Sequence, residues 1–205
     1  MKAVSLFDYT GNMLMPWLHA GYECHIYDMQ HPPGISVRDN GMICHGADLS
    51  EMVPAFFGDI AFVSAFPPCD HLAVSGARWF KGKGLRKLAK SIELFATAAE
   101  FCESTGAPYI IENPVSTIST YWRKPDYSFH PHDYTGFELS DNYSKKTCVW
   151  AGGGFVMPPP HRADVGEPDD RIHKCAPGPD RANIRSATPM GFAQAVFESN
   201  MEANQ

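Results

Sequence analysis

The sequence predicts an α/β fold in which helices cover both faces of a mostly parallel β-sheet. Short apolar runs typical of buried strands recur in the first half of the chain, and short loops or helices separate them. Strands that alternate with helices in this way are typical of parallel sheets. At 205 residues the chain has the length of one domain. The predicted strands are residues 3–7, 23–28, a short run within 41–50, 60–66 and 107–114.

The clearest predicted element is a long amphipathic helix that follows the fourth strand. Its apolar residues recur at a spacing of three and four, which is the helical repeat. Gly106 ends it, since glycine readily adopts the left-handed conformation of a helix C-cap. The predicted apolar face comprises Leu85, Leu88, Ala89, Ile92, Phe95, Ala96, Ala99 and Cys102.

The pattern weakens after Pro114. Residues 145–161 suggest a strand, a glycine turn and a second strand, and a closing helix begins near Thr188, a good N-cap. We therefore expect three parts: a core over 1–114, a short insertion over 115–146, and C-terminal strands and a helix over 147–205 that return to the core.

Composition limits the classes of protein. No apolar run is long enough to cross a membrane or to serve as a signal peptide, and the six cysteines form no C-x-x-C pair. These features predict a cytoplasmic protein with reduced thiols. His161, His173 and Cys175 lack the tight pairing of zinc ligands, so no metal site is expected.

The charge is unevenly distributed along the chain. The formal net charge of −6 argues mildly against a nucleic-acid partner, because phosphate binding needs positive charge. However, no acidic residue lies between His71 and Ile92, and six of the 17 basic residues do. They are either a solvated helix face or a phosphate-binding surface. Trp79 and Phe80, within this run, either stack on a base or anchor the basic loop.

Reactive or ligand-type residues follow the predicted strands. In parallel sheets, ligands bind at the carboxyl ends of the strands, so these side chains are expected at one edge. They are Asp8, Asp28, Asp48, Cys69 and Glu112.

Seven short motifs occur in an order that resembles the DNA (cytosine-5)-methyltransferases, and most closely their compact bacteriophage members. The motifs are FDYTGN (7–12), YDM (27–29), ADLS (47–50), FPPCDHLAVSG (66–76), ENP (112–114), KKTCVW (145–150) and RSATPMGFAQAV (185–196). The resemblance implies a Rossmann-like, S-adenosylmethionine-dependent methyltransferase fold with a very small recognition insertion. It also implies methylation of DNA, as in restriction-modification.

The resemblance implies roles for individual residues. Cys69 is the nucleophile that adds to carbon 6 of cytosine, Glu112 shares a proton with ring nitrogen 3, and Lys146 stands in a motif that carries arginines in larger members. We expect neighbouring positive charge to lower the pKa of Cys69, and burial to raise that of Glu112. The residues implied to hold S-adenosylmethionine are Phe7, Asp8, Gly11, Asn12, Asp28, Met29, Asp48, Leu49, Pro67 and Ser186. Those implied to contact DNA, with the cytosine flipped out, are Ser75, Arg78, Lys81, Lys83 and Lys87.

Three other functions compete with this one. Amino-group methyltransferases also place two prolines after a strand, but they need a polar residue before the prolines, where this chain has Phe66. A phage binding protein that keeps the fold without activity is a second alternative, and an enzyme acting on free cytosine nucleotides is a third. The short insertion also favours help from a homodimer or a partner protein in recognising the target.

Overall fold

The computed structural model describes residues 1–55 and 58–201, and its centre is a seven-stranded sheet. The sheet order is β3-β2-β1-β4-β5-β7-β6. Neighbouring strands among the first five pair in parallel, and β7 is antiparallel to both β5 and β6. The predicted Rossmann-like α/β fold with a mostly parallel sheet is confirmed. The strands are β1 Lys2–Leu6, β2 Glu23–Val37, β3 Ile43–Gly46, β4 Ile60–Ala65, β5 Tyr109–Pro114, β6 Tyr127–Phe129 and β7 Thr147–Gly152.

Helices cover both faces of the sheet. One buried cluster joins α1 and α7 to one face, through Trp17 and Phe192 among others, and a second joins α3 to the opposite face, through Phe95. In the described part of the chain, no helix combines the length and apolarity needed to cross a membrane. The helices are α1 Met15–His19, α2 Phe80–Lys83, α3 Leu85–Thr105, α4 Ile118–Tyr121, α5 Arg171–Lys174, α6 Arg181–Ser186 and α7 Met190–Met201.

The long helix α3 begins and ends as predicted, and Gly106 caps it in the left-handed conformation at φ 68°. Phe95, Ala99 and Cys102 are buried, but Leu85 is 83% exposed. Ala89 is exposed as well, so the prediction that Leu85 and Ala89 lie on a buried face is wrong. Periodicity identifies an apolar stripe along a helix, whereas burial requires another element opposite it.

Strand β2 is longer than the sequence predicted. It continues past Asp28 to Val37 and pairs with β3 a second time in reversed register, with Ile35 opposite His45. A Cβ on Gly46 would lie 2.0 Å from the carbonyl oxygen of Pro32, so this close approach requires glycine.

The second half of the chain completes the sheet rather than forming a separate layer. Phe129 of β6 stacks on Phe192 of α7, with ring centroids 3.8 Å apart, so residues within 115–146 enter the core. The second strand predicted after Gly152 is not formed. At the start of α7, the Gly191 N–H donates to the carboxylate of Asp141 at 2.8 Å. Residues 202–205 of the predicted C-terminal part lie outside the described residues.

Candidate active site

The loop after β1 is organised around the buried carboxylate of Asp8. This carboxylate accepts hydrogen bonds from the Ser5 hydroxyl at 2.8 Å, the Thr10 hydroxyl at 3.1 Å and the Gly11 N–H at 2.7 Å. Burial raises the pKa of Asp8, and these hydrogen bonds oppose the rise. Phe7, with φ 55°, and Gly11, with φ 77°, both adopt left-handed backbone in this turn. Asp8 therefore uses its carboxylate to shape the loop.

Two residues that the sequence analysis did not select lie against this loop. His31 is buried with its Nε2 3.2 Å from the Asp8 carbonyl oxygen, and its ring stacks on Tyr9. The guanidinium of Arg38 donates to the carbonyl oxygens of Tyr9 and Thr10 at 2.6 and 2.7 Å. Neither residue belongs to a motif, and only the extension of β2 brings them here.

Acidic residues lie where the parallel parts of β2 and β3 end. Asp28 is the last residue of β2 before its register with β3 reverses, and Asp48 follows β3. Asp28 accepts the Gln30 N–H on Oδ1 at 2.8 Å, and its Oδ2 makes no hydrogen bond within the described residues. Asp48 is exposed and accepts from the N–H and the hydroxyl of Ser50, which lowers its pKa. The residues that follow these two acids in the sequence differ in burial, since Met29 is exposed and Leu49 is buried in the core.

The C-terminal segment reaches the same edge of the sheet. The Asn12 amide donates to the Thr188 carbonyl at 3.1 Å, which joins the β1 loop to the residues before α7. Asn183 of α6 donates to the Gln30 side chain at 3.1 Å, close to Asp28. Ser186, at the end of α6, is exposed and donates to the Asn183 carbonyl.

The loop that carries Cys69 is fastened to the exit of β5. The Asn113 amide donates to the Pro67 carbonyl oxygen at 2.9 Å, and both residues are buried. Further along, the Val74 N–H donates to the Val115 carbonyl, also at 2.9 Å. Pro67 and Asn113 are 46 residues apart in the sequence, so the first hydrogen bond brings the FPPC and ENP motifs into contact in the fold.

Cys69 is half-buried, and its electrostatic surroundings differ from the expectation. Burial raises the pKa of Cys69 to about 11, and the negative charges of Asp70 and Glu112 add to the rise. Lys145 opposes it without reversing it. The prediction that positive charge lowers this pKa is wrong here, because burial outweighs the cations.

Glu112 is the buried acid of the site. Burial raises its pKa, as the sequence analysis predicted, and Lys145 acts in the opposite direction. The Lys145 Nζ lies 3.8 Å from Glu112 Oε1 and is itself buried without a hydrogen-bond partner in the described residues. Glu112 is therefore a buried acid with a raised pKa, and the lysine beside it has no hydrogen-bond partner among the described residues.

Lys145, rather than Lys146, is the lysine that meets Glu112. Lys146 is exposed and lines a cavity of about 380 Å³ together with Ser116 and Ser128, and Glu112 does not line this cavity. Successive side chains of an extended chain point to opposite sides, so only one of two neighbouring lysines can face Glu112. The placement of Lys146 in the site is corrected accordingly.

The residues selected for nucleic-acid contact follow the Cys69 loop. Ser75, Arg78, Lys81 and Lys87 are exposed, and the Arg78 guanidinium lies 5.0 Å from the ring centroid of Trp79. Lys83 is half-buried and donates to the Asp70 carbonyl oxygen. These basic residues therefore form an exposed surface next to the Cys69 loop, except that Lys83 is hydrogen-bonded to the loop itself.

Across residues 1–55 and 58–201, no group of three or more histidine, cysteine, aspartate or glutamate side chains could hold a metal ion. His161, His173 and Cys175 do not form such a group.

Comparisons with known proteins identify no family for this chain. No family model matches the chain, and no curated protein matches it. Among solved structures, the chain is similar to the glycopeptide N-methyltransferase MtfA, with 16% sequence identity and a TM-score of 0.27. The match covers 74% of this chain and 64% of that chain.

Proposed function

We propose that this chain is an S-adenosylmethionine-dependent methyltransferase that acts on carbon 5 of cytosine in DNA through a covalent Cys69 adduct. One observation carries the proposal: Asn113 binds the Pro67 carbonyl while its neighbour Glu112 is a buried acid with a raised pKa. The loop that carries the thiol and the strand that carries the buried carboxyl are thereby joined at the carboxyl edge of a parallel sheet, where ligands bind.

The two side chains suit the first half of this reaction. The Cys69 thiolate forms a bond to carbon 6, and the electron pair of the carbon 5–carbon 6 double bond becomes available at carbon 5. Glu112 holds its proton at ring nitrogen 3, which stabilises the charge that the addition pushes into the ring. Once Glu112 carries this proton, its charge no longer raises the pKa of Cys69. Lys145, 3.8 Å from Glu112, then favours the thiolate.

Bound S-adenosylmethionine supplies a methyl group on a positively charged sulfur. After carbon 5 has taken this methyl group, water removes the proton at carbon 5, and the electron pair expels the Cys69 thiolate and restores the double bond. The role of the protein in this half is to hold carbon 5 in place and to recover the thiolate.

The residues at the strand ends have the chemistry to hold that cofactor. Its ribose hydroxyls and adenine amine are hydrogen-bond donors, and carboxylates accept from such groups. Asp28 has an oxygen without a partner in the described residues, and Asp48 is exposed at the neighbouring strand end. The resemblance of the YDM and ADLS motifs to the methyltransferases implies that Asp28 binds the ribose and Asp48 the adenine.

A mechanism-based adduct tests the proposal. Fluorine at carbon 5 cannot leave as a cation, so after methylation the thiolate cannot be eliminated and the adduct persists. We expect intact-mass spectrometry to show a protein–DNA species with 5-fluorocytosine DNA and S-adenosylmethionine. Cys69→Ser should abolish it. Cys175→Ser is the matched control, because Cys175 is also half-buried, and it should leave the adduct unchanged.

The other outcomes separate the alternatives. Normal methylation by Cys69→Ser would exclude the covalent mechanism. An adduct with a fluorinated mononucleotide but not with DNA would favour an enzyme of free nucleotides. If neither an adduct nor methyl transfer is found with DNA or with cytosine nucleotides, a binding protein with this fold is the better account. A rate that rises with the square of protein concentration would support the proposed homodimer.

A further inference from the structure

A cavity of about 360 Å³ lies beside the Cys69 loop, outside the residues of the proposed reaction. Ligand cavities in proteins are roughly 300–1,000 Å³, so this one has the size of a small-molecule site. Its lining includes the apolar side chains of Phe80, Leu85 and Leu88 and the basic side chains of Lys81 and Lys83. An aromatic ring and two aliphatic side chains thus face the same space as two cations.

The segment that lines the cavity carries exposed apolar side chains. Leu85, which lines the cavity, is 83% exposed, and Trp79, which directly precedes the lining residue Phe80 in the chain, is 60% exposed. Exposed apolar side chains at and next to a cavity are typical of a binding site. Because the same segment is basic and has no acidic residue between His71 and Ile92, the ligand should combine an apolar face with negative charge.

The position of the cavity relates it to the thiol. His71 lines it, and Lys83 at its edge donates to the carbonyl oxygen of Asp70, the residue after Cys69. Two residues of extended chain span at most about 7 Å, so the backbone of His71 lies within that distance of Cys69 and the cavity borders the loop that carries the thiol. The Asp70 side chain is the acidic neighbour, and it is exposed.

We propose that this cavity binds an unpaired base of the DNA strand adjacent to the target cytosine, with Lys81 facing a flanking phosphate while Lys83 stays bound to the Asp70 carbonyl oxygen at the edge of the cavity. The inference rests on the proposed function, since it takes DNA as the substrate. A base in a duplex has both faces stacked, whereas an unpaired base can place a face on an aromatic ring, as in single-strand-binding proteins. The substrate is therefore single-stranded on at least one side of the target.

Equilibrium binding to short labelled oligonucleotides tests this, measured by fluorescence anisotropy on Cys69→Ser protein without cofactor. Each oligonucleotide contains a single cytosine, and in each member of the series one of the nucleotides beside that cytosine is replaced by an abasic residue. At one flanking position, we expect the loss of the base to weaken binding about five-fold or more. In Phe80→Leu, which keeps an apolar side chain but loses the ring, the same abasic replacement should have no further effect.

Matched variants separate the cavity from the general surface. Tyr121→Leu removes an exposed aromatic ring elsewhere and should behave like the parent protein. Lys81→Gln should reduce the slope of log affinity against log salt by about 1 for the same oligonucleotides, whereas the exposed Lys124→Gln should not.

The inference is overturned if no abasic position weakens binding, or if abasic replacement weakens the parent and Phe80→Leu equally. It is also overturned if fully paired duplex binds as tightly as the single strand. These results do not depend on methyl transfer. Binding with the expected base dependence but no covalent adduct would refute the proposed reaction alone, and an adduct with no Phe80 dependence would refute this cavity alone.

Discussion

Replacing Asn113 by alanine tests how the nucleophile loop is held. Asn113 is 1% exposed, and its amide donates to the Pro67 carbonyl oxygen at 2.9 Å. The substitution removes this hydrogen bond and leaves a buried carbonyl without that donor. An unsatisfied buried polar group lowers stability by about 1–3 kcal/mol. Because the substitution also removes the buried Asn113 Oδ1, which has no hydrogen-bond partner among the described residues, we expect the free energy of unfolding to fall by about 1 kcal/mol, at the low end of that range.

The loop itself should also become looser around Cys69. We expect iodoacetamide to alkylate Cys69 several-fold faster in Asn113→Ala, measured by mass spectrometry of the Cys69 peptide. The four fully buried cysteines, Cys24, Cys44, Cys102 and Cys148, serve as internal references because their rates report global unfolding.

Asn200→Ala is the matched control. Asn200 is also 1% exposed, but its side chain joins α7 to the backbone of Val156, far along the chain from the Cys69 loop. It should lose at least as much stability in urea unfolding without faster alkylation of Cys69. Equal alkylation in the two variants, or a loss of under about 0.5 kcal/mol in Asn113→Ala, would refute the role of this hydrogen bond.

Three further predictions concern charge. The pKa of Glu112 is raised in the folded state above its ordinary value of 4.5, so its protonated form stabilises the fold at low pH, and this contribution is lost as pH rises through the folded pKa. The unfolding free energy of the parent minus that of Glu112→Gln should therefore fall between pH 4 and pH 8 in urea titrations, and a difference that is flat or rises would contradict the burial argument. The same substitution removes a charge that raises the pKa of Cys69, so the alkylation profile of that thiol should move to lower pH than its parent midpoint of about 11. Asp28→Asn, which keeps the acceptor for the Gln30 N–H, should weaken S-adenosylmethionine binding in calorimetry by about 1.5–3 kcal/mol. The exposed Asp39→Asn should bind normally, and equal affinities for both variants would argue against the ribose role.

Much of the fold was predictable because its signals are local. An apolar run of five or six residues indicates a buried strand wherever it pairs, and the spacing of Phe95, Ala99 and Cys102 indicates one face of a helix. The placement of Asp28 and Asp48 at one edge of the sheet followed from these elements, since parallel strands bring their carboxyl ends to one edge, although β2 itself continues past Asp28. Leu85 shows the limit of this reasoning, because the same periodicity continues where nothing described covers it.

The contacts that define the candidate site depend on tertiary structure. His31 and Arg38 reach the β1 loop only because β2 continues beyond Asp28, and no local sequence pattern predicts that extension. Phe129 joins the core from a segment without periodicity, because β6 pairs with a strand about 20 residues further along the chain.

The sequence by itself determined that a cysteine on a proline-fixed loop and a Glu-Asn-Pro strand end would belong to the same edge of an α/β sheet. The tertiary structure decided that Asn113 joins the two, that Lys145 rather than Lys146 faces Glu112, and that burial raises the pKa of Cys69. The division has a physical reason. Strand and helix formation depend on neighbouring residues, whereas side-chain direction, burial and pKa depend on groups that are distant in sequence and adjacent only after folding.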